Sequence, residues 1–462
     1  MATILGTADQ EKSRARLFPW YGWVALFTLI AGELGLFLGV FAVQALFYFI
    51  AWWSYIVLAD AWVWRRRGHS LLRDRPWEFL VLAFWSVAIW NLFEAFNFRL
   101  QNWFYVNVPP LFLLGAIFTS FAYATVVPGL FETYDLLRAY GVGERARVRP
   151  WRIRPSGLAL SVVVGFLMLL GPLLWPRYAF PWVWGFVVFL GDPLCYRAER
   201  TRAKSLLGQF ERGDPRPFIR LLLSGLICGG LWEFWNFWAY TKWIYTVPFF
   251  EDLKWFEMPP LGFLGFLGFL GFPPFALECY VLVNLLNRFR RGRGWEEPGQ
   301  IGPGAPRRLA VLAVVLACLF NVTVYVGIDR LTVQSYVPTL AEMEGVPGDV
   351  VDRLARAGIV SPRALLQRTA TRDRRAALAR QSGITENELG AVRTAARLVD
   401  LEGLGATHYN ELRRLGIGRV EELARQDPET LVTRWRSVAG TKPPTLARVK
   451  VWVRSAREHS ND

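Results

Sequence analysis

The chain has 462 residues, of which 53% are hydrophobic and 15% aromatic, with 22 tryptophans and a formal net charge of +15. Several runs of about 20 apolar residues have the length of a bilayer-spanning helix, which excludes an ordinary water-soluble globular protein. Most basic residues lie in short loops between these runs, as the positive-inside rule describes, so the charge does not require a nucleic-acid partner.

The chain offers few residues for metal or haem chemistry. Its four cysteines lie in or beside apolar runs without a Cys-x-x-Cys motif, which is typical of free, buried thiols. None of the three histidines falls in an apolar run, which argues against a haem or a histidine-bound metal inside the bilayer. We therefore predict no cofactor and no metal.

The apolar runs predict about nine transmembrane helices. The first run lacks the cleavage site of a signal peptide and is taken as a span. In chain order, we expect two spans between Trp20 and Trp64 with a turn near Gly39, then spans near 79–98, 111–130, 157–175, 181–196, 218–239, 261–286 and 309–327.

Two of these spans end in nearly the same way. Glu94 and Asn97, and later Glu233 and Asn236, place a carboxylate and a carboxamide three residues apart at the end of an apolar run. Residues at this spacing share one face of a helix. Each pair could therefore point into a common space.

The similarity extends along both halves of the membrane part. The motifs that recur in the same order are Trp52 to Asp60 and Trp184 to Asp192, Ser70-Leu-Leu and Ser205-Leu-Leu, Arg75-Pro76 and Arg216-Pro217, the acid–amide pairs, Trp103 to Tyr105 and Trp243 to Tyr245, Pro109-Pro-Leu and Pro259-Pro-Leu, and Pro128 to Glu132 and Pro274 to Glu278. We predict an all-α polytopic membrane protein with an internal 4+4 parallel repeat. A repeat of four spans keeps its orientation, so the halves should be related by an axis along the membrane normal.

This repeat divides the chain into segments of different character. In order, we expect a polar N-terminal leader (1–18), membrane repeat 1 (19–140), a basic loop (141–156), membrane repeat 2 (157–288), a Gly/Pro/Arg linker (289–308), the ninth span (309–328) and a soluble helical domain (337–462).

The basic loops predict the orientation in the cell membrane. They fall on one side of the predicted spans, which the positive-inside rule makes cytoplasmic together with the N-terminus. Nine spans then place the C-terminal domain outside the cytoplasm.

The repeated polar residues are the candidates for a binding site. The predicted ligand-binding residues are Glu94, Asn97, Glu233, Asn236, Trp103, Tyr105, Trp243, Tyr245, Glu132 and Glu278. Intramembrane carboxylates usually face protein or a water-filled cavity and often mark a pathway. They could instead be structural, accepting Trp N–H or Tyr O–H bonds, and Asp60 and Asp192 could simply pair with Arg65 and Arg197.

The last quarter of the chain contains helices punctuated by glycine. Leu401-Glu-Gly403-Leu-Gly405 is followed by Leu415-Gly416-Ile417, and an earlier copy reads Met343-Glu-Gly345-Val-Pro347 and then Ala357-Gly358-Ile359. This segment resembles the tandem helix-hairpin-helix domain of unknown function found in bacteria. The membrane part is similar to multi-pass bacterial proteins without a known activity, so it implies none.

The resemblance implies a helical module, and two kinds of partner are open for it. Helix-hairpin-helix units bind nucleic-acid phosphate on the backbone N–H groups of a Gly-x-Gly turn. Pro347 removes one such donor from the first copy, and the predicted location is extracytoplasmic. We expect a protein partner or self-association through 337–462 in preference to nucleic acid.

Three classes of function remain open. The first is a carrier or binding protein for a small amphiphilic or cationic ligand at a polar pocket between the halves. The second is a non-catalytic membrane assembly protein that recruits partners through its tail. The third is a membrane-embedded enzyme acting on a lipid-linked substrate, which ranks lowest because no nucleophile–base pair or phosphate loop is evident.

Overall fold

The computed structural model describes residues 17–247, 254, 256–258, 271–287, 292–293, 300–301, 306–438 and 443–460. It is mostly helical, and eight of its described helical segments are long and apolar enough to cross a membrane. Two short antiparallel sheets depart from the predicted all-α fold. The chain divides into a membrane unit (1–102, 116–239 and 247–329) and a loop–tail unit (103–115, 240–246 and 330–462).

The helices of the first half of the membrane unit follow the predicted spans. They are α1 (Trp20–Phe37), α2 (Phe41–Arg67), the short α3 (Leu71–Asp74), α4 (Pro76–Leu100), α5 (Phe112–Tyr123) and α6 (Val126–Ala139). Gly39 lies in the turn between α1 and α2, where its φ of 73° suits a residue without a side chain. Pro76 opens α4 at a position where its missing N–H costs nothing.

The second half of the membrane unit begins at α7. Its helices are α7 (Pro155–Leu174), α8 (Pro176–Ala179), a 3₁₀ turn (Phe180–Trp184), α9 (Phe186–Arg197), α10 (Glu199–Arg202), α11 (Leu206–Glu211), α12 (Arg216–Trp238) and α13 (Phe272–Asn287), followed by α14 (Arg307–Leu331). The predicted eighth span is described only as the 16 residues of α13, because 259–270 lie outside the described residues. Strands β3 (Gly292–Arg293) and β4 (Gln300–Ile301) pair in the linker.

The helices of the two halves pack in corresponding pairs. In the first half α1 packs on α2, and α6 packs on both α2 and α4; in the second, α7 packs on α9, and α13 packs on both α9 and α12. The α12–α13 contact is close, since a side chain at Gly225 would begin 2.5 Å from the carbonyl oxygen of Phe272. Small residues of this kind let helix backbones approach in a membrane.

Buried aromatic rings join the two halves. Trp52 of α2 packs against Trp232 of α12, with ring centroids 5.2 Å apart. A second such contact joins Trp184 of the second half to Phe93 of α4, whose rings are stacked with centroids 5.0 Å apart. All four side chains are at most 4% exposed, so they form the centre of the membrane unit.

The loop–tail unit begins with two strands from loops of different halves. β1 (Trp103–Val106) and β2 (Lys242–Tyr245) pair antiparallel, with Trp103 opposite Tyr245 and Tyr105 opposite Trp243. The chain that follows α14 continues this sheet, because backbone bonds join Tyr105 to Thr332 and Gln334. Three chain segments far apart in sequence therefore meet in one small sheet.

The tail is a bundle of short helices. They are a 3₁₀ turn (Leu340–Glu342), α15 (Gly348–Arg356), α16 (Pro362–Arg368), α17 (Arg372–Ser382), α18 (Glu386–Val399), α19 (Gly405–Arg414), α20 (Val420–Ala424), α21 (Pro428–Val438) and α22 (Leu446–His459). Trp435 and Trp452 are fully buried in its apolar core.

Candidate functional site

The first acid–amide pair is fully buried and bonded within its own half. The carboxylate of Glu94 accepts hydrogen bonds from the Trp90 indole N–H at 2.9 Å and the Tyr123 hydroxyl at 3.1 Å. The side-chain oxygen of Asn97 accepts the backbone N–H of Asn102 at 2.8 Å and so holds the start of the loop. These contacts are of the kind that a structural role requires.

The second pair is equally buried in α12. Glu233 and Asn236 are 0% exposed. Between them, Trp235 donates its indole N–H to Glu33 of α1 at 2.9 Å, a bond between the two halves. The first helix of the second half, α7, contains no acid that corresponds to Glu33, so the sequence repeat could not predict this bond.

The predicted aromatic residues of the site fall in the other unit. Trp103, Tyr105, Trp243 and Tyr245 belong to β1 and β2 of the loop–tail unit, whereas the acid–amide pairs belong to the membrane unit. Within the sheet they form cross-strand Trp–Tyr pairs, which are stabilising neighbours in antiparallel strands.

Asp60, in the C-terminal half of α2, is a capping residue for the short helix α3. Its carboxylate accepts hydrogen bonds from the Tyr21 hydroxyl at 2.9 Å, the Ser70 hydroxyl at 2.9 Å and the Leu72 backbone N–H at 2.8 Å. The structure thus gives Asp60 neutral donors and not the predicted pairing with Arg65.

Asp192 has the same role in the second half. It accepts the backbone N–H groups of Leu206 and Leu207, each at 2.8 Å, at the start of α11. Free N–H groups of a first helical turn attract a carboxylate. The repeated Ser-Leu-Leu sequence is therefore the partner of the repeated aspartate, rather than Arg197.

Glu132 of α6 is buried differently. It is 1% exposed, and neither of its carboxylate oxygens has a hydrogen-bond partner among the residues that the structure describes. The carboxylates of Asp60 and Asp135 are near enough to repel it, and the Arg75 guanidinium is near enough to attract it. Arg67 lies 3.8 Å from Asp135.

The corresponding acid of the second half is Glu278 of α13. It is 0% exposed, and one oxygen accepts the Val187 backbone N–H at 3.1 Å. Its other oxygen has no hydrogen-bond partner within the described parts of the chain. Glu132 is thus the predicted site carboxylate with neither oxygen hydrogen-bonded within the described residues, and Glu278 has one bonded oxygen.

Asp135 and its arginine neighbours were missed by the sequence analysis. Asp135 lies three residues after Glu132 and so shares its helical face, a spacing that could have been noticed. Arg67 and Arg75 flank the loop around α3, and nothing in their spacing indicates that they approach α6.

One ion pair and two cation–π contacts attach the tail to the β1–β2 sheet and the loop beside it. These contacts are Lys242 with Glu402 at 2.5 Å, Arg363 over the Tyr240 ring at 4.5 Å and Arg448 over the Phe104 ring at 4.5 Å. Burial lowers the pKa of Arg448 to about 10.

The Gly-x-Gly turn of the tail contacts the segment of the chain that follows α14. Gly403 and Gly405 have φ values of 72° and 68°, which explains the need for glycine. A side chain at Gly403 would begin 2.7 Å from the amide nitrogen of Gln334, and one at Gly405 would begin 3.0 Å from Ser335. On this side the turn is covered by protein atoms.

A buried ion pair lies beside these contacts. Asp400 is 3.6 Å from Arg363, and its other carboxylate oxygen has no hydrogen-bond partner in the described residues. Burial raises the pKa of Asp400 to about 6, although Arg363 acts in the opposite direction.

Comparison with known families identifies the tail only. Residues 344–459 match the profile of a family described as "Domain of unknown function (DUF4332)". The predicted resemblance of the tail to a bacterial domain of unknown function is thereby confirmed. No curated protein and no solved structure matches the chain.

Proposed function

We propose that the protein is a carrier or binding protein for a small cation in the membrane, with Glu132 as the binding carboxylate and Glu278 as its counterpart. The observation that supports this function is the burial of Glu132 with both carboxylate oxygens unpartnered among the described residues. Buried carboxylates in membranes are costly and typically belong to ion or proton pathways.

The charges around Glu132 favour a monovalent ligand. The charges that act on Glu132 are those of Asp60 and Asp135, which repel it, and that of Arg75, which attracts it. Neither oxygen of Glu132 has a hydrogen-bond partner among the described residues, and a buried charge without a partner costs several kcal/mol. A proton binds to a single carboxylate and neutralises its charge, whereas Ca²⁺ takes six to eight oxygen ligands. We therefore infer that the cation is a proton or a small monovalent ion.

We also infer that the two halves are a 4+4 repeat around this site. Three features favour the repeat. Asp60 and Asp192 contact the same Ser-Leu-Leu sequence, the helices pack in corresponding pairs, and the Trp-x-Tyr motifs face each other across β1 and β2. A structure determined by electron microscopy in which 19–140 does not superpose on 157–288 would contradict the repeat.

Proton movement through reconstituted protein tests the carrier function. The full chain is placed in vesicles with a trapped pH-sensitive dye, and a potassium diffusion potential is applied. We expect the wild-type protein to change the internal pH, and Glu132→Gln and Glu278→Gln to reduce the rate at least tenfold. Glu199→Gln, which changes an exposed glutamate in the α10 loop, is the matched control and should leave the rate unchanged.

Infrared spectroscopy separates binding from transport. A protonated carboxyl group gives its own carbonyl band, which we expect to disappear in Glu132→Gln and to persist in Glu199→Gln. A Glu132→Gln protein that moves protons at the wild-type rate and keeps the band would contradict the proposal.

An assembly role is the second candidate. It is favoured by the attachment of the tail to loops from both halves, through Lys242 and Tyr240 of one and Phe104 of the other. A tail held in this way would present a fixed surface to a partner or to a second copy. Native mass spectrometry of the full chain and of Lys242→Met tests self-association, which the variant should weaken.

We also infer the side of the membrane on which the tail lies. The positive-inside rule makes the basic loops cytoplasmic, and the nine predicted spans then place the tail outside the cytoplasm. Labelling of single cysteines at 462 and 68 by a membrane-impermeant reagent should modify 462 only in intact cells. Equal labelling would overturn the orientation.

A further inference from the structure

The tail contains a cleft that neither the cation site nor the sheet contacts involve. It has a volume of about 350 Å³ and is lined by Gln367, Arg368, Arg374, Ala377, Leu378 and Gln381. This volume is at the small end of the range for ligand pockets, and the lining is mostly polar, around the apolar side chains of Ala377 and Leu378.

The local sequence explains how the cleft forms. Thr371 caps the start of α17 by accepting the backbone N–H of Arg374. Gly383, whose φ is 67°, follows the last residue of the helix. Residues 374, 377, 378 and 381 are spaced by three or four, so they form one face of α17. That face lies opposite the last residues of α16, with buried Leu378 as the floor.

The charged groups at the rim have nothing to neutralise them. The guanidiniums of Arg368 and Arg374 are exposed, and neither has an ion pair or hydrogen bond to another described residue. Helix α17 contains four arginines and one acid, Asp373. The cleft is therefore strongly positive.

The positive charge continues onto α18. The pKa of Arg393 is lowered first by burial and then by repulsion from Arg375 and Arg397. Its Nε is buried without a hydrogen-bond partner among the residues that the structure describes. Arg375 and Arg393 are like charges that repel each other, whereas Arg397 is paired with Glu421 at 3.1 Å.

We propose that the cleft between α16 and α17 binds a small anion through Arg368 and Arg374. Guanidinium groups form charge-assisted, often bidentate bonds with carboxylate and phosphate oxygens. The glutamine side chains of the rim add neutral donors, and Leu378 provides a contact for the ligand's carbon atoms. The shared chemistry is that of an oxyanion, supplied either by a carboxylate or by a phosphate group.

Calorimetry on the full chain in neutral detergent tests this site, with inorganic phosphate and succinate as separate probes. We expect saturable binding of at least one probe. Arg368→Gln and Arg374→Gln should each weaken it by about tenfold or more, because each variant loses the charge-assisted hydrogen bonds of one guanidinium to the oxyanion. Arg380→Gln, which removes an exposed arginine of α17 outside the cleft, is the matched control.

The outcomes distinguish the two sources and the failure of the proposal. Binding of phosphate alone identifies a phosphate ligand, and binding of succinate alone identifies a carboxylate ligand. An equal loss in Arg380→Gln would show general attraction to positive charge and overturn the site. Absence of saturable binding of either probe below about 10 mM would overturn it as well.

Discussion

Two pairs of buried acids lie at corresponding places in the halves of the membrane unit, and they are bonded in opposite ways. Asp60 and Asp192 each accept at least two hydrogen bonds that include a backbone N–H of the short helix that follows. Glu132 accepts none from the described residues, and Glu278 accepts one. Burial alone, which is nearly complete for all four, does not distinguish these roles.

Under the proposed function, the difference separates structural acids from those available to a ligand. An aspartate that satisfies helix N–H groups is committed, because removing it would leave those groups unpaired in a place that water does not reach. A glutamate without such bonds is costly to bury, which is why we propose it as the carboxylate that binds the ligand. The following predictions test this division, from the largest expected effect to the smallest.

The largest effect is expected from removal of a capping aspartate. Asp60→Ala leaves two hydroxyls and one backbone N–H without their acceptor, which should lower the free energy of unfolding by on the order of 4 kcal/mol. Asp192→Ala should have a similar effect through α11. Thermal unfolding in detergent measures both, and a melting temperature within one degree of wild type would contradict the capping role.

Asp400 of the tail is intermediate between these two kinds of acid, because its ion-pair partner, Arg363, lies 3.6 Å away. Its pKa of about 6 in the folded state lies above the ordinary value of about 4, so folding favours its protonated form. The stabilisation is present below pH 4, decreases as the pH rises from about 4 to about 6, and is absent above that; its size is on the order of 2 kcal/mol.

Hydrogen exchange of α22 peptides at several pH values measures this dependence. In wild type, protection should decrease from pH 4 to pH 6.5 after correction for the intrinsic exchange rate. In Asp400→Asn the decrease should be reduced, because no proton is released. The same slope in both proteins would assign the dependence to another group.

Glu132→Gln should act on stability in the opposite direction to Asp60→Ala. It removes a buried charge at nearly constant volume, so we expect the protein to be unchanged or more stable by about 1 kcal/mol. Thermal unfolding under the conditions used for Asp60→Ala measures this. A large loss of stability would show that Glu132 is structural and would remove the basis of the cation site.

The smallest effect is expected at the acid–amide pair of α4, Glu94 and Asn97. Glu94→Gln keeps an oxygen that can accept the Trp90 and Tyr123 donors, so only the charge assistance is lost, about 1 kcal/mol or less. The rate of proton movement should also remain within twofold. A loss of transport with normal stability would move the site from Glu132 to Glu94.

The sequence predicted the features that depend on local patterns. Apolar length predicted the membrane helices, and Gly39 predicted the turn after α1. It did not predict the partners of Asp60 or Glu33, because a donor such as the Trp235 indole comes from a helix some 200 residues away. The Trp-x-Tyr motifs were noticed, but pattern alone did not reveal that they pair as strands.

The β1–β2 sheet has a consequence for synthesis of the protein. Its strands are separated by more than 130 residues, and the backbone bonds from Tyr105 of β1 to Thr332 and Gln334 span more than 220 residues. At typical rates of translation, β1 waits roughly ten to forty seconds for its last partner. During that interval its edge is unpaired, a state in which strands associate wrongly. Completion of the sheet is therefore a late event in the synthesis of the chain.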